Sequence, residues 1–184
     1  IASAAIEESV TIAGAMFLND VVVGPGGEVF VSDTVTNSVH VWPQGEAPTL
    51  VLQTPDLQAA NGLAFRGDIL HVAGIGSLSD PRVLGQLQRL DMGQLTPVST
   101  HAARYDGVEV DGAGWLVTEF TGKLQRISAD GATVTLIRDF VADDGLMSTA
   151  DLGLDPTRGL VVIPDLVGGS VHLVDEIFGD GFDP

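Results

Sequence analysis

Asn61-Gly62-Leu63-Ala64-Phe65-Arg66-Gly67-Asp68-Ile69-Leu70-His71-Val72-Ala73-Gly74 reads as an apolar strand, a Gly/Asp corner and a second apolar strand. Glycine supplies positive φ at such a corner and Asp holds it. The pattern recurs three times, at Asn19-Asp20-Val21-Val22-Val23 through Ser32-Asp33, at Asp106-Gly107-Val108-Glu109-Val110-Asp111 through Thr118-Glu119, and at Ala150-Asp151-Leu152-Gly153-Leu154-Asp155-Pro156 through Asp165. The four starts, Asn19, Asn61, Asp106 and Ala150, are 42, 45 and 44 residues apart. A third strand follows in each unit: Ser38–Trp42, Gln86–Leu90, Lys123–Ile127 and Ser170–Val174, all with polar/apolar alternation. Thr49–Leu52 and Thr133–Ile137 offer a fourth, outer strand.

Four short strands at this period predict the blades of an all-β propeller, with four blades visible. Solenoid repeats have shorter periods or carry helices, and no convincing helical stretch is present. The expected blades cover about residues 10–54, 55–99, 100–143 and 144–176, with a short tail at 177–184.

Composition narrows the function classes. Of 184 residues, 8 are basic and 25 acidic, a net charge of −17 with no basic patch to offset it. That field repels a phosphate backbone and argues against nucleic acid as a partner. The longest apolar runs, such as Gly159–Pro164, fall far short of the ~20 residues a membrane helix needs, so no membrane partner is expected. The absence of cysteine excludes thiolate ligands, a cysteine nucleophile and disulfides.

The innermost strand of each blade starts beside the central channel, so the strand heads converge although they are distant in sequence. Three of the four heads are Asn19, Asn61 and Asp106, two amides and one carboxylate. Oxygen donors of this kind suit calcium or another hard divalent cation and suit zinc poorly. The competing reading is structural, since Asn and Asp before Gly are common wherever a turn is needed. Ala150 offers no ligand, and Asp151 beside it could reach inward. Glu109 is expected either to stand behind the ligands as a further acid or to face solvent.

At these heads the chain resembles the gluconolactonase and senescence-marker-protein family, with paraoxonase-type propellers as more distant relatives. The matching pieces are Phe17-Leu18-Asn19-Asp20-Val21, Ala60-Asn61-Gly62-Leu63-Ala64-Phe65, Asp106-Gly107-Val108-Glu109-Val110-Asp111 and Ala150–Pro156, spread over roughly residues 10 to 176. The resemblance implies metal ligands at Asn19, Asn61 and Asp106, with Asp106 also a general base in the hydrolysis of lactones or related esters. It also implies a six-bladed ring, of which the four units match the later blades, and a further glutamate ligand from a first blade that has no counterpart here. The expected partners are therefore a small-molecule substrate or ligand, and either another chain or missing N-terminal blades along the outer faces. The alternative function is a non-catalytic propeller that binds a small ligand or a protein on its rim.

The remaining motifs carry less. His40, His71, His101 and His172 are scattered, with His40 and His172 at matching third-strand positions. Ser77 and Ser79 lie in a Gly/Ser-rich insertion, residues 74–85, with no nucleophile-elbow pattern. Gly24-Pro25-Gly26-Gly27 is a hairpin turn, since neither a Lys nor a helix follows. The start at Ile1 suggests a segment removed upstream, by processing or by truncation, and the tail Glu176–Pro184, which looks like tails of some secreted bacterial proteins, points to a periplasmic or extracellular location.

Overall fold

A computed structural model describes residues 5–112, 114–155 and 157–175, and the expected tail at 177–184 lies outside them. Among the described residues, fifteen strands form four antiparallel meanders in sequence order. The first blade holds β1 (Leu18–Val23), β2 (Val29–Asp33), β3 (Ser38–Trp42) and β4 (Thr49–Gln53). The second holds β5 (Ala60–Arg66), β6 (Ile69–Gly74), β7 (Leu87–Asp91) and β8 (Gln94–Pro97). The third holds β9 (Tyr105–Asp111), β10 (Gly114–Glu119), β11 (Lys123–Ile127) and β12 (Val134–Asp139). The fourth has three strands among the described residues: β13 (Gly153–Asp155), β14 (Leu160–Asp165) and β15 (Ser170–Val174). The chain is a β-propeller of four blades. Among the described residues, helix is confined to one turn, α1 (Phe140–Asp144), capped by the Asp139 carboxylate, and a 3-10 turn at Pro55–Leu57. No helix among the described residues is long and apolar enough to cross a membrane.

Period-two alternation sends successive residues of a strand to opposite seams. Along β10, Trp115 and Val117 enter the core between the second and third blades, and Leu116 enters the core between the third and fourth. The seam between the first two blades is closed by Val39, Leu57, Leu63 and Val72, with Phe30 and Phe65 meeting edge to face at 5.0 Å. Among the described residues, no such cluster joins the fourth blade to the first. Val21, Val23 and Leu50 on the outer face of the first blade are exposed, as are Val171 and Leu173 on the fourth.

Two local devices bring the inner strands together. The ladder slips at each of the first three heads, between Leu18 and Val21, between Ala60 and Leu63, and opposite the Val117–Glu119 step of β10. Such bulges re-aim the side chains that follow. The second device corrects the reading of Asn61-Gly62 and Asp106-Gly107 as turns. Both glycines lie inside strands, and neither has positive φ. They are glycine for lack of room. A Cβ on Gly62 would stand 2.5 Å from the Asp106 carbonyl oxygen and 2.9 Å from the Val108 nitrogen. One on Gly107 would stand 2.7 Å from the Leu152 nitrogen.

Hydroxyl and carboxylate side chains tie neighbouring heads. Thr118 Oγ1 accepts from Gly107 N at 2.9 Å and donates to Ala150 O at 2.5 Å, and Thr34 Oγ1 donates to Ala60 O at 2.7 Å. At the ends of β2 and β14, Asp33 and Asp165 play one role. Asp33 accepts from the backbone nitrogens of Met16, Phe17, Val35 and Thr36. Asp165 accepts from those of Met147, Ser148 and Gly168. These donors outweigh burial and hold both carboxyls below the usual range, Asp165 at about 2.

Gly62→Ala should therefore destabilise the protein by about 1–3 kcal/mol or more, the usual cost of forced overpacking, because backbone must move. Gly153→Ala is the matched control: its Cβ meets nothing within 4 Å and its φ is not positive. Urea unfolding of both variants checks this, and equal midpoints would contradict the close-approach account.

Candidate functional site

All four blades contribute to one cavity of about 320 Å³, lined by Asp20–Val23, Leu63–Phe65, Val108–Val110 and Asp151. Four carboxyl groups gather at or beside it: Asp20 on β1, Asp106 and Glu109 on β9, and Asp151 just before β13. Burial is the largest influence on each. It pushes Asp106 to about 7, helped by the charges of Asp151 and Asp20 and opposed by a hydrogen bond from Asn61 and by Arg104. Glu109 also stands at about 7, raised by burial and then by Asp151 and Asp20. Asp151 rises to about 6; its carboxylate keeps solvent access, so it is the softest of the three. Asp20 is raised by burial against two backbone donors, Leu63 N at 2.6 Å and Val21 N at 2.6 Å.

Asn61 and Asp106 are buried together and hydrogen-bonded. Asn19 is more exposed, and its amide nitrogen donates to Thr34 Oγ1 at 2.9 Å. Thr34 in turn bonds the Ala60 carbonyl, so Asn19 is linked to the start of β5 through one hydroxyl. Glu109 lines the cavity, which sets aside the solvent-facing reading. Asp20 was not singled out in the sequence, yet it occupies the same position after a head as Asp151. Each bonds the next backbone nitrogen, Val21 N and Leu152 N. That repeated register was the available signal.

The donor chemistry fits a hard divalent cation, since every polar group here is an amide or carboxyl oxygen and the crowded acids repel one another. No three His or acidic side chains among the described residues stand close enough to hold an ion by themselves. The amides of Asn19 and Asn61 would have to supply part of the shell.

Three of the four histidines are held by neighbouring hydroxyls. Ser38 bonds His40 Nε2 at 2.9 Å, and Ser170 bonds His172 Nε2 at 2.8 Å, the same contact repeated in two blades. The Tyr105 hydroxyl meets His101 Nδ1 at 2.7 Å.

No family model and no curated protein matches the chain. Solved structures do. A gluconolactonase from Xanthomonas campestris superposes with a TM-score of 0.63 at 18% identity, covering 86% of this chain and 58% of that one. A structure provisionally assigned to the gluconolactonases gives a TM-score of 0.69 at 16% identity over 87% of this chain and 59% of that one. A catalytically inactive virginiamycin B lyase from Staphylococcus aureus, with quinupristin, gives 0.60 at 12% identity over 94% and 60%. The fold is thus that of gluconolactonase and lyase propellers, and the chain spans less than two thirds of their length.

The raised carboxyls set a pH dependence of stability. Unfolded Asp and Glu titrate near ~4, whereas Asp106 and Glu109 hold their protons up to about 7 in the folded protein. Between those values the folded state binds more protons, so stability falls as pH rises. Asp33 and Asp165 act oppositely, losing their contribution as pH drops below ~4. In chelator, unfolding free energy should peak near pH ~4–5 and decline toward pH ~8. Asp106→Asn should flatten that decline. Urea melts across the range check it, and a rise toward pH ~8 would contradict the desolvated cluster.

Proposed function

We propose that the channel serves a divalent-cation-dependent hydrolysis of lactones or related esters, with Asn19, Asn61 and Asp106 as ligands and Asp106 as general base. The observation that carries this reading is the Asp106 carboxyl, buried beside Asn61 and pushed to about 7 by its surroundings. The fold likeness to a protein described as a gluconolactonase supports it.

A general base works best when its affinity for the proton lies near the operating pH, and burial among acids supplies that here. Asp106 would take a proton from water as the water oxygen bonds to the carbonyl carbon. The ring or ester C–O bond then breaks, and the departing alkoxide recovers the proton from the Asp106 carboxyl. Asn61 fixes that carboxyl through its amide, and burial together with Asp151 and Asp20 keeps its proton affinity high. Val22, Leu63 and Val108 give the adjoining cavity an apolar wall against which a substrate's hydrocarbon part would rest. Calcium or another divalent cation, when bound, would polarise the carbonyl oxygen and neutralise the acid cluster.

The chain would also associate with another chain or with further blades through the exposed faces of its first and last blades. Water disfavours such apolar area at ~25 cal/mol per Å².

Asp106→Asn should lower hydrolysis across a lactone panel by roughly 10²–10⁴-fold with the fold retained. Saturating calcium should stabilise the wild type by ~2.7 kcal/mol at a hundredfold excess over Kd, and Asn61→Ala should remove that gain. An active protein whose melting is indifferent to calcium and chelator would sink the metal role. No hydrolysis of any panel member would favour the rim-binding module. Sedimentation velocity tests assembly: a well-behaved 19.1 kDa monomer would contradict association.

A further inference from the structure

A second cavity, of about 410 Å³, opens at the outer seam between the second and third blades, away from the channel strands' heads. On the second blade, its wall follows one cross-strand row: His71 on β6 faces Arg89 on β7, which faces Thr96 on β8. Arg66, at the end of β5, and Trp115, on β10, complete it from the two sides of the seam.

The charge here is opposite to that of the molecule. Two of the 8 basic residues line this one cavity in a chain of net charge −17. The Arg66 guanidinium lies 4.8 Å over the Trp115 ring. Among the described residues, the other basic side chains have partners. Arg82, Arg89, Lys123, Arg126, Arg138 and Arg158 meet carboxylates, and Arg104 donates to the Ser77 carbonyl. The Arg66 side chain makes neither a hydrogen bond nor an ion pair with any described residue. Surface acid is plentiful, so its unpaired state in a half-buried cleft is unusual.

Two further groups in the wall lack partners. Trp115 and His71 are 3% and 4% exposed, and their rings stand 5.0 Å apart. Among the described residues, neither Trp115 Nε1 nor His71 Nδ1 has a hydrogen-bond partner. A buried indole N–H without an acceptor costs stability, and native proteins rarely leave one so. Burial, and the nearby charges of Arg66 and Arg89, hold His71 at about 4, so it is neutral at ordinary pH and adds no charge of its own. The carboxylate in the lining, Asp130, is already engaged by Ser128 Oγ and Ala132 N.

We propose that this seam cavity binds a small organic carboxylate, gripped by the Arg66 guanidinium, with its body against Trp115, Ile69 and Pro97. A guanidinium presents a planar fork that matches a carboxylate, and stacking on Trp115 pre-organises that fork. The apolar wall beside it favours an acid with a flat or hydrocarbon body over a bare inorganic anion. The acidic exterior opposes entry of any anion, and that long-range field is screened within ~8 Å at physiological salt. The proposal is independent of the channel chemistry.

Trp42→Phe leaves Trp115 as the sole tryptophan of the two, so its fluorescence reports on this cavity alone. In that background, benzoate should give a saturable change that sodium chloride at matched ionic strength does not. Arg66→Gln should weaken the response by roughly tenfold or more, the worth of a charge-assisted pair. Arg66→Lys keeps the charge without the fork and should bind more weakly than wild type. Asp106→Asn should bind benzoate unchanged. Melting curves of the Arg66 variants, expected at the wild-type midpoint, separate lost binding from lost fold. The proposal is overturned if benzoate gives no saturable change beyond salt. It is overturned equally if inorganic phosphate saturates the signal and benzoate does not, or if both Arg66 variants bind as the wild type does.

Discussion

Around the channel, the inner strands of the second, third and fourth blades run so close that no side chain fits between them at Gly62 and Gly107. Backbone therefore meets backbone where most propeller seams would be filled by side chains. The bulges at the strand heads follow from the same crowding. An extra residue in the inner strand frees its backbone nitrogens from the ladder, and these turn to Asp20, Ser32 and Thr118. With the heads drawn in, Asp20, Asp106, Glu109 and Asp151 lose water together and meet one another's charge.

The contrast between two sets of aspartates shows how environment decides the chemistry of one residue type. Asp33 and Asp165 are as thoroughly enclosed as Asp106 by accessible surface, yet they lie below the ordinary carboxyl range. Each is ringed by backbone N–H groups that pair with the ionised form. Asp106 has one amide from Asn61 and two acidic neighbours, so burial prevails and the proton stays. The first pair fastens loops to strand ends. The second set stores unfavourable charge in a cavity that all four blades share. A cation or a proton would relieve it, which is the physical basis for reading the channel as reactive.

The seam cavity follows the opposite logic. There an unpaired guanidinium, an indole N–H without an acceptor and a neutral histidine face a space with little competing acid. The two cavities differ in sign although one strand reaches both: Leu63, Ala64 and Phe65 of β5 line the channel cavity, and Arg66 at its end lines the seam.

The propeller was legible in the spacing of Asn19, Asn61, Asp106 and Ala150 and in the alternation of strands such as Ser38–Trp42 and Lys123–Ile127, which appear at those residues. Periodicity is local and needs no knowledge of what packs opposite. It also put Asn61 and Asp106 at the heads of inner strands, because a repeat fixes which residue heads each one, and the structure joins the two by a hydrogen bond. Tertiary structure alone decided the rest. Whether Gly62 serves a turn or a close approach depends on where Asp106 O lies, 44 residues away in the sequence. Whether Glu109 faces solvent or the cavity depends on how far the blades close in. The meeting of Arg66 with Trp115 required two blades to dock, and neither residue has any local feature that announces the other. Proton affinity and pairing are set by neighbours in space, and a sequence lists only neighbours in the chain.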